Sequence, residues 1–420
     1  DLDAPADEDP SADVASPAVD SDSPSAENNT DGEPGVEADS QNAMAANPAD
    51  AGGGPSDAAP ETAGAAASGP ANDSAQAESD APPAADDALP AAGDPAQPAL
   101  TDAGAGDRAA DWQPEDPSGH PLAIERLRGL DYPGSDLVVV EELAAGSNYS
   151  RAVATYQSEG LSIRGLLTIP SGERPASGWP VIIFNHGYIP PAQYRTTERY
   201  VAYQDAFARN GYITYKSDYR GHGSSQGEAG SSRGTPDYTI DVMNALSSVA
   251  RLPVADPNRI GMWGHSMGGL VTLKSMVISD RIKAGVIWAG VVASYPDLYN
   301  RLGQSPSSAS PSTDTQRRRG WRTDLVERFG LPDENPAAWA AVSPNAHLDR
   351  ISGPLQLHHG TADHSVPVEY STRLDEQMQA AGRPSELFVY EGDDHNLAGS
   401  LQTALARSVE FFDRHVKGNG

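Results

Sequence analysis

From about residue 130 onward the sequence predicts a mostly parallel α/β sheet with helices on both faces, and three observations predict it. Apolar runs of strand length alternate with stretches of helical periodicity. Several of these runs, such as Val181–Phe184 and Ala284–Ala289, are continuously apolar, as strands buried on both faces must be. The residues with chemical potential directly follow such runs, where open α/β sheets carry their sites.

Leu137–Leu143, Ala152–Gln157 and Leu161–Ile169 read as an entry meander, with Ser158-Glu159-Gly160 turning between the last two. Val181–Phe184 is the next strand. Thr197–Ala208 reads as a helix closed by Gly211, and Tyr212–Ser217 as the strand after it. Thr235 is expected to cap a helix that has Pro236 at its first position and Asp237 in its first turn, running to about Ala250. Asp256-Pro257-Asn258 turns into the strand Ile260–Gly264. A helix then runs from Ser266 to about Ile278, before the strand Ala284–Ala289.

Residues 293–350 break this rhythm and read as a cap insertion. They hold the Ser/Pro-rich stretch Gln304–Thr313, the basic run Arg317-Arg318-Arg319, and helical patterns at Asp324–Phe329 and Ala337–Ala341. The rhythm resumes with the strand Leu355–His358, the helix Val368–Ala381, the strand Glu386–Tyr390 and the helix Leu401–Val416. There is no internal repeat.

Composition divides the chain. Residues 1–116 hold 27 of its 59 Asp and Glu but one of its 29 Lys and Arg, Arg108. Trp112 is their only aromatic residue. Such a segment has too little apolar surface to offset the entropy of ordering. It reads as a disordered acidic tail, followed by a linker at 117–134 and a catalytic domain at 135–417. The tail is either a surface tether and spacer or a segment with no specific partner. Its charge argues against nucleic acid as a partner. No run of about 18 apolar residues occurs, so no transmembrane segment is expected. The chain opens on Asp1 rather than Met, which reads as an upstream segment removed or trimmed. An acidic Pro/Ser/Ala spacer ahead of an enzyme fits an extracytoplasmic protein, secreted or attached to the cell envelope. The absence of cysteine excludes disulfides.

Gly264-His265-Ser266-Met267-Gly268 matches G-x-S-x-G between a strand and a helix. That pattern lifts a serine hydroxyl above the sheet on a sharp turn, and small residues at its ends let strand and helix approach. A serine needs a base to become nucleophilic. His395, in the loop after the last strand, is the candidate base. Asp363, in His359-Gly360-Thr361-Ala362-Asp363, is the candidate acid. Asp393 and Asp394 are weaker rivals for that role, because adjacent residues rarely turn their side chains toward one another. His358 and His359 end a buried strand and read as structural; no clustered spacing suggests a metal or cofactor. The Met267 N–H, at a new helix N-terminus, is one expected oxyanion donor. The second is the Tyr188 N–H, from the loop Asn185-His186-Gly187-Tyr188. Asp218-Tyr219-Arg220-Gly221-His222-Gly223 reads mainly as scaffold under the site, with support of the catalytic groups by Arg220 or His222 as the alternative.

With these residues in place, the chain resembles the catalytic domain of the prolyl oligopeptidase family and its dienelactone-hydrolase-like esterase relatives. The resemblance rests on Tyr156, Gly160, Ile163 and Gly165, His186-Gly187, Asp218-Tyr219-Arg220-Gly221, Asp256-Pro257, Gly264–Gly269, the His359–Asp363 motif with Val366-Pro367, and Asp394-His395. It covers about 135–417. It implies an eight-stranded α/β-hydrolase sheet and cofactor-free hydrolysis through an acyl-enzyme. Large members of that family carry a β-propeller that filters peptides. Residues 1–116 lack the strand patterning for one, which favours a stand-alone esterase. The substrate expected is a small ester or a short peptide. A serine peptidase acting on short peptides or acylated amino acids is the alternative, and a surface binding protein with an idle hydrolase fold a remote one. Tyr188, Tyr295 and Tyr299 are candidate walls of the substrate pocket, and the arginines at 317, 318, 319 and 322 candidate steering charges.

Overall fold

The structure, a computed structural model, describes residues 112–302 and 313–418, excluding the side chains of 301, 302 and 313–319. The expected disorder of the tail therefore lies outside the described residues up to 111, as does the Ser/Pro-rich stretch of the cap from 303 to 312.

All nine apolar runs become strands, one more than the resemblance implies. They are β1 (Val138–Leu143), β2 (Tyr149–Ser158), β3 (Leu161–Pro170), β4 (Trp179–Asn185), β5 (Ile213–Ser217), β6 (Ala255–His265), β7 (Ile282–Trp288), β8 (Leu355–Gly360) and β9 (Ser385–Tyr390). They form one sheet in the order β1-β2-β3-β5-β4-β6-β7-β8-β9. The first three join antiparallel, and every pairing from β5 to β9 is parallel. The extra strand is β1 at the sheet edge, which among the described residues pairs with β2 alone and leaves Val138, Val139 and Val140 exposed.

Nine helices cross or cap this sheet among the described residues: α1 (Ile124–Arg128), α2 (Val201–Arg209), α3 (Asp237–Val249), α4 (Met267–Ile278), α5 (Tyr295–Leu302), α6 (Thr313–Phe329), α7 (Pro336–Val342), α8 (Val368–Ala380) and α9 (Leu401–Phe412). Strand pleating sends alternate side chains to opposite faces. In β4, Val181 and Ile183 join a core with α3, α4 and α8, while Ile182 and Phe184 join a core with α2 and α9. That is why the run had to be apolar throughout.

Two expectations are corrected. Order begins well before residue 130, and the segment read as a linker is packed. Leu122, Ile124 and Leu127 are buried at or below 1% exposure, and Trp112 and Glu115 bond to the backbone of Glu327 and Arg328 on α6. The apolar residues of this short segment are too few to show periodicity. Thr235 does not cap α3 either. Pro236 holds the cap position, and the Thr235 hydroxyl donates to Ser231 O, a local alternative open to threonine.

Candidate active site

The turn from β6 to α4 is built by its glycines. A Cβ on Gly264 would lie 2.3 Å from Thr272 Oγ1 and 2.4 Å from Gly268 O. One on Gly268 would lie 2.0 Å from Asn185 O. Only glycine allows α4 to start this close to β4 and β6. Between them Ser266 takes φ 54° and ψ −118°, a strained conformation of the kind that collects at functional sites. Its peptide is bracketed: Ser266 N–H donates to Trp288 O at 2.9 Å, and Ser266 O accepts from Gly269 and Val291 N–H at 3.0 Å. Met267 is the first residue of α4, where an N–H has no partner within its own helix.

Asp363 follows β8, and its side chain is completely buried. Its Oδ1 accepts from the N–H of Ser365 (2.7 Å) and Val366 (2.9 Å). Its Oδ2 accepts from His395 Nδ1 at 2.7 Å and from His359 Nε2 at 3.0 Å. Burial pushes its pKa up, but the bonds from the two histidines and the Val366 amide outweigh this and hold it well below the usual carboxylate range. Gly360 lets β8 meet the His395 loop, since a Cβ there would lie 2.2 Å from Asp393 O.

The structure thus joins Asp363 to His395 directly. Because a carboxylate only accepts, His395 Nδ1 carries a hydrogen, and Nε2 is the ring nitrogen that can take up a proton. Ser266 Oγ and His395 Nε2 are both buried, and neither has a hydrogen-bond partner. Asp393 and Asp394 do other work. Asp393 Oδ1 accepts from the N–H of Asp394 and Gly399, and Asp394 Oδ1 from those of Asn396 and Ala398. They shape the loop that carries His395.

His359 is a neighbour of the candidate acid that sequence reasoning did not place at the site. Its Nε2 also lies 2.9 Å from Val366 O, and its Nδ1 2.8 Å from Ser371 Oγ on α8. It is a second histidine on the acid. The four-residue spacing from His359 to Asp363 was the available signal; a strand-ending histidine hid it.

On the other side of the serine, Gly187 is close enough that a Cβ would stand 3.2 Å from Ser266 Cβ. His186 is stacked between Tyr194 and Tyr219, with ring centroids 4.7 and 4.2 Å away, and the Tyr219 hydroxyl donates to His186 O. Arg220 is committed to the buried Asp241 at 2.7 Å. This is scaffold under the Gly187–Tyr188 loop.

The cap residues fare differently. Tyr295 is completely buried; its hydroxyl meets Lys274 Nζ at 3.0 Å and Arg233 O at 2.8 Å, and its ring packs edge-on against Trp321. Tyr299 packs against Trp339 under the Arg322 guanidinium, 4.8 Å from its ring centroid. Tyr295 is therefore cap interior. Tyr188 is partly buried and packs against the α3–α4 core. The side chains of 317, 318 and 319 lie outside the described residues. A cavity of about 550 Å³ opens between α6 and the 228–237 loop, lined by His120, Glu228, Asp237, Trp321, Asp324 and Arg328 among others. None of the three tyrosines, nor Ser266, Asp363 or His395, lines it. Among the described residues no group of three or more His, Asp or Glu could hold a metal ion, and no helix is long and apolar enough to cross a membrane.

Comparison with known proteins agrees with this architecture. Residues 199–419 match the model of the prolyl oligopeptidase family. The chain is 24% identical over 257 residues to the uncharacterised peptidase YtmA of Bacillus subtilis, covering 60% of this chain and 89% of that one. It is 23% identical over 270 residues to YitV of the same organism, which bears an esterase name, covering 62% and 99%. Among solved structures, Pyrococcus horikoshii acylaminoacyl peptidase superposes with a TM-score of 0.52 at 23% identity, covering 65% of this chain and 43% of its own. The chain thus spans less than half of that larger relative. An acetyl xylan esterase from Paenibacillus sp. R4 superposes with a TM-score of 0.50 at 18% identity, covering 69% and 92%. These likenesses are to the α/β-hydrolase fold, and the family match spans more than half of the sequence. The chain belongs to the prolyl oligopeptidase family and is a serine hydrolase.

Proposed function

We propose that this enzyme hydrolyses small carboxylic esters through an acyl-enzyme on Ser266. One observation carries the proposal: Ser266 Oγ and His395 Nε2 are buried polar atoms without partners, beside an acid whose every lone pair is engaged. Buried polar groups are normally satisfied, so an unpartnered hydroxyl at the strained Ser266 turn and an unpartnered nitrogen on the histidine bound to Asp363 fit a site awaiting substrate. Hydrogen bonds of this kind are often loose before substrate arrives.

The chemistry follows from the donors and acceptors. His395 Nε2 takes the Ser266 proton as Oγ attacks the carbonyl carbon. The imidazolium formed is stabilised by Asp363 through Nδ1–H. The Met267 and Tyr188 N–H groups receive the developing oxyanion. Nε2–H then protonates the leaving group, and water repeats the sequence to release the acid.

A peptidase acting on short peptides or acylated amino acids uses the same groups, and the peptidase name of YtmA favours it. Turnover of p-nitrophenyl acetate and butyrate against amino-acid and prolyl p-nitroanilides separates the two. The esterase reading expects kcat/KM on the esters to exceed that on the anilides by well over the difference in intrinsic reactivity. Comparable or higher values on one class of anilide would replace it with the peptidase reading.

A further inference from the structure

Arg199 and Tyr200, just before α2, both have left-handed backbone angles, with φ of 55° and 57°. Two such residues in succession, neither of them glycine, persist only where their surroundings impose the bend. Here the ammonium of Lys216, buried on β5, donates to the carbonyls of Glu198 and Arg199, each at 2.8 Å.

The bend delivers the Tyr200 hydroxyl to a specific place. It lies 3.0 Å from Gly187 N and 2.8 Å from His265 Nδ1. His265 precedes the serine, is 2% exposed, and has its Nε2 2.9 Å from the backbone oxygen of His395. The protons in this chain have one consistent arrangement. A carbonyl oxygen only accepts, so His265 Nε2 carries hydrogen. Burial pushes the His265 pKa down to about 3, so the ring is neutral and Nδ1 is bare. The Tyr200 O–H therefore donates to Nδ1, and its lone pair accepts the Gly187 N–H. The direction runs from Gly187 through Tyr200 and His265 to His395.

We propose that Tyr200 and His265 form a positioning relay that fixes the oxyanion loop and the general-base loop against each other across the nucleophile. The inference rests on the roles given above to Ser266, His395 and Tyr188. Binding of the Gly187 N–H by Tyr200 removes it as an oxyanion donor and holds the His186–Gly187 peptide, the one before the peptide that carries the Tyr188 N–H. Capture of the His395 carbonyl sets the backbone from which the imidazole projects. Both ends thus act on groups that meet in the transition state, and neither relay side chain touches substrate. Loss of the relay should lower kcat and leave KM nearly alone.

The test uses Tyr200→Phe, His265→Leu, His265→Gln and the Tyr200→Phe/His265→Leu double variant of the full chain. The readouts are kcat and KM on p-nitrophenyl acetate, affinity for an alkyl trifluoromethyl ketone that forms a tetrahedral adduct, and thermal melting. Tyr200→Phe and His265→Leu should each lower kcat about 10- to 100-fold with KM within about threefold, less than the loss of an oxyanion donor itself. Ketone affinity should fall in step. The double variant should be no worse than the poorer single one, because one interrupted relay cannot be interrupted twice. His265→Gln, which can donate to the carbonyl and accept from Tyr200, should recover most of the rate. Folded Tyr200→Phe with kcat within about twofold of the parent, or losses that multiply in the double variant, would overturn the relay. If His265→Leu does not fold, Tyr200→Phe and His265→Gln carry the same decision, because the relay requires the first to be slow and the second fast. Ser266→Ala run alongside keeps the two claims apart. An active Ser266→Ala removes the nucleophile, whereas an inactive one beside a fully active Tyr200→Phe removes the relay alone.

Discussion

The catalytic edge and the cap are built on opposite terms. At the edge, backbone approaches backbone so closely that glycine is obligatory, and Ser266 Oγ and His395 Nε2 are among the buried polar atoms left without partners. In the cap, side chains do the joining: Tyr295 on Trp321, Tyr299 on Trp339, and Lys274 reaching from α4 to Tyr295 and Ser232. Rigidity at the edge comes from local geometry, which a short motif can encode. Cohesion in the cap comes from contacts between residues distant in sequence.

The sharpest test of this contrast is at the serine. Ser266→Ala should cut turnover by about a millionfold, on the scale seen when a triad serine is removed, with melting unchanged. Active variant protein would end the acyl-enzyme account of the edge.

Two glycines compare the regions directly. Both lie in helices, where Gly→Ala ordinarily gains up to about 1 kcal/mol. Gly268→Ala places a Cβ 2.0 Å from Asn185 O and should instead lose about 1–3 kcal/mol or more. Gly320→Ala on α6 meets nothing within 4 Å and should gain up to about 1 kcal/mol. Urea midpoints measure both, and equal signs would erase the distinction.

How much was legible follows the same division. The elbow, the Asp363 loop and the His395 loop could be placed because each sits where an apolar run ends. His359 was hidden because a histidine at a strand end has an ordinary structural explanation. The interior place of Tyr295 was hidden because its partners, Lys274 and Arg233, are 21 and 62 residues away. Neither periodicity nor spacing reports such contacts. The packing of 117–128 escaped for a related reason: four buried apolar residues, Leu122, Ala123, Ile124 and Leu127, are enough to anchor a segment but too few to make a pattern.

The cap has its own pH signature. Burial pushes the Lys274 pKa down to about 7, with Arg233 adding to the effect. The unfolded lysine titrates near 10.4. Between these values the unfolded chain binds more protons, so stability should rise with pH from about 7 until the buried tyrosines reverse the trend near 10. Melting temperature against pH should show this slope, and Lys274→Met should flatten it. Tyr295→Phe, which strips a partner from Lys274 and from Arg233 O, should cost about 1–3 kcal/mol while Ser266 reactivity stays. A large change in acyl preference without loss of stability would return Tyr295 to the pocket wall.

The smallest effect concerns the N-terminal side. Removal of residues 1–111 should change kcat and melting little, whereas removal through 128 takes away Leu122, Ile124 and Leu127 and should lower melting clearly. Equal melting of the two truncated proteins would mean that the 117–128 segment adds nothing to the core.

The central claim is that Ser266 is activated by His395 and Asp363, and labelling of the folded enzyme with a fluorophosphonate, located by peptide mass, tests it most directly. The account predicts a single adduct on Ser266, absent in Ser266→Ala and slowed by several orders of magnitude in His395→Ala. No adduct on the folded parent, or an adduct on another serine, would contradict it.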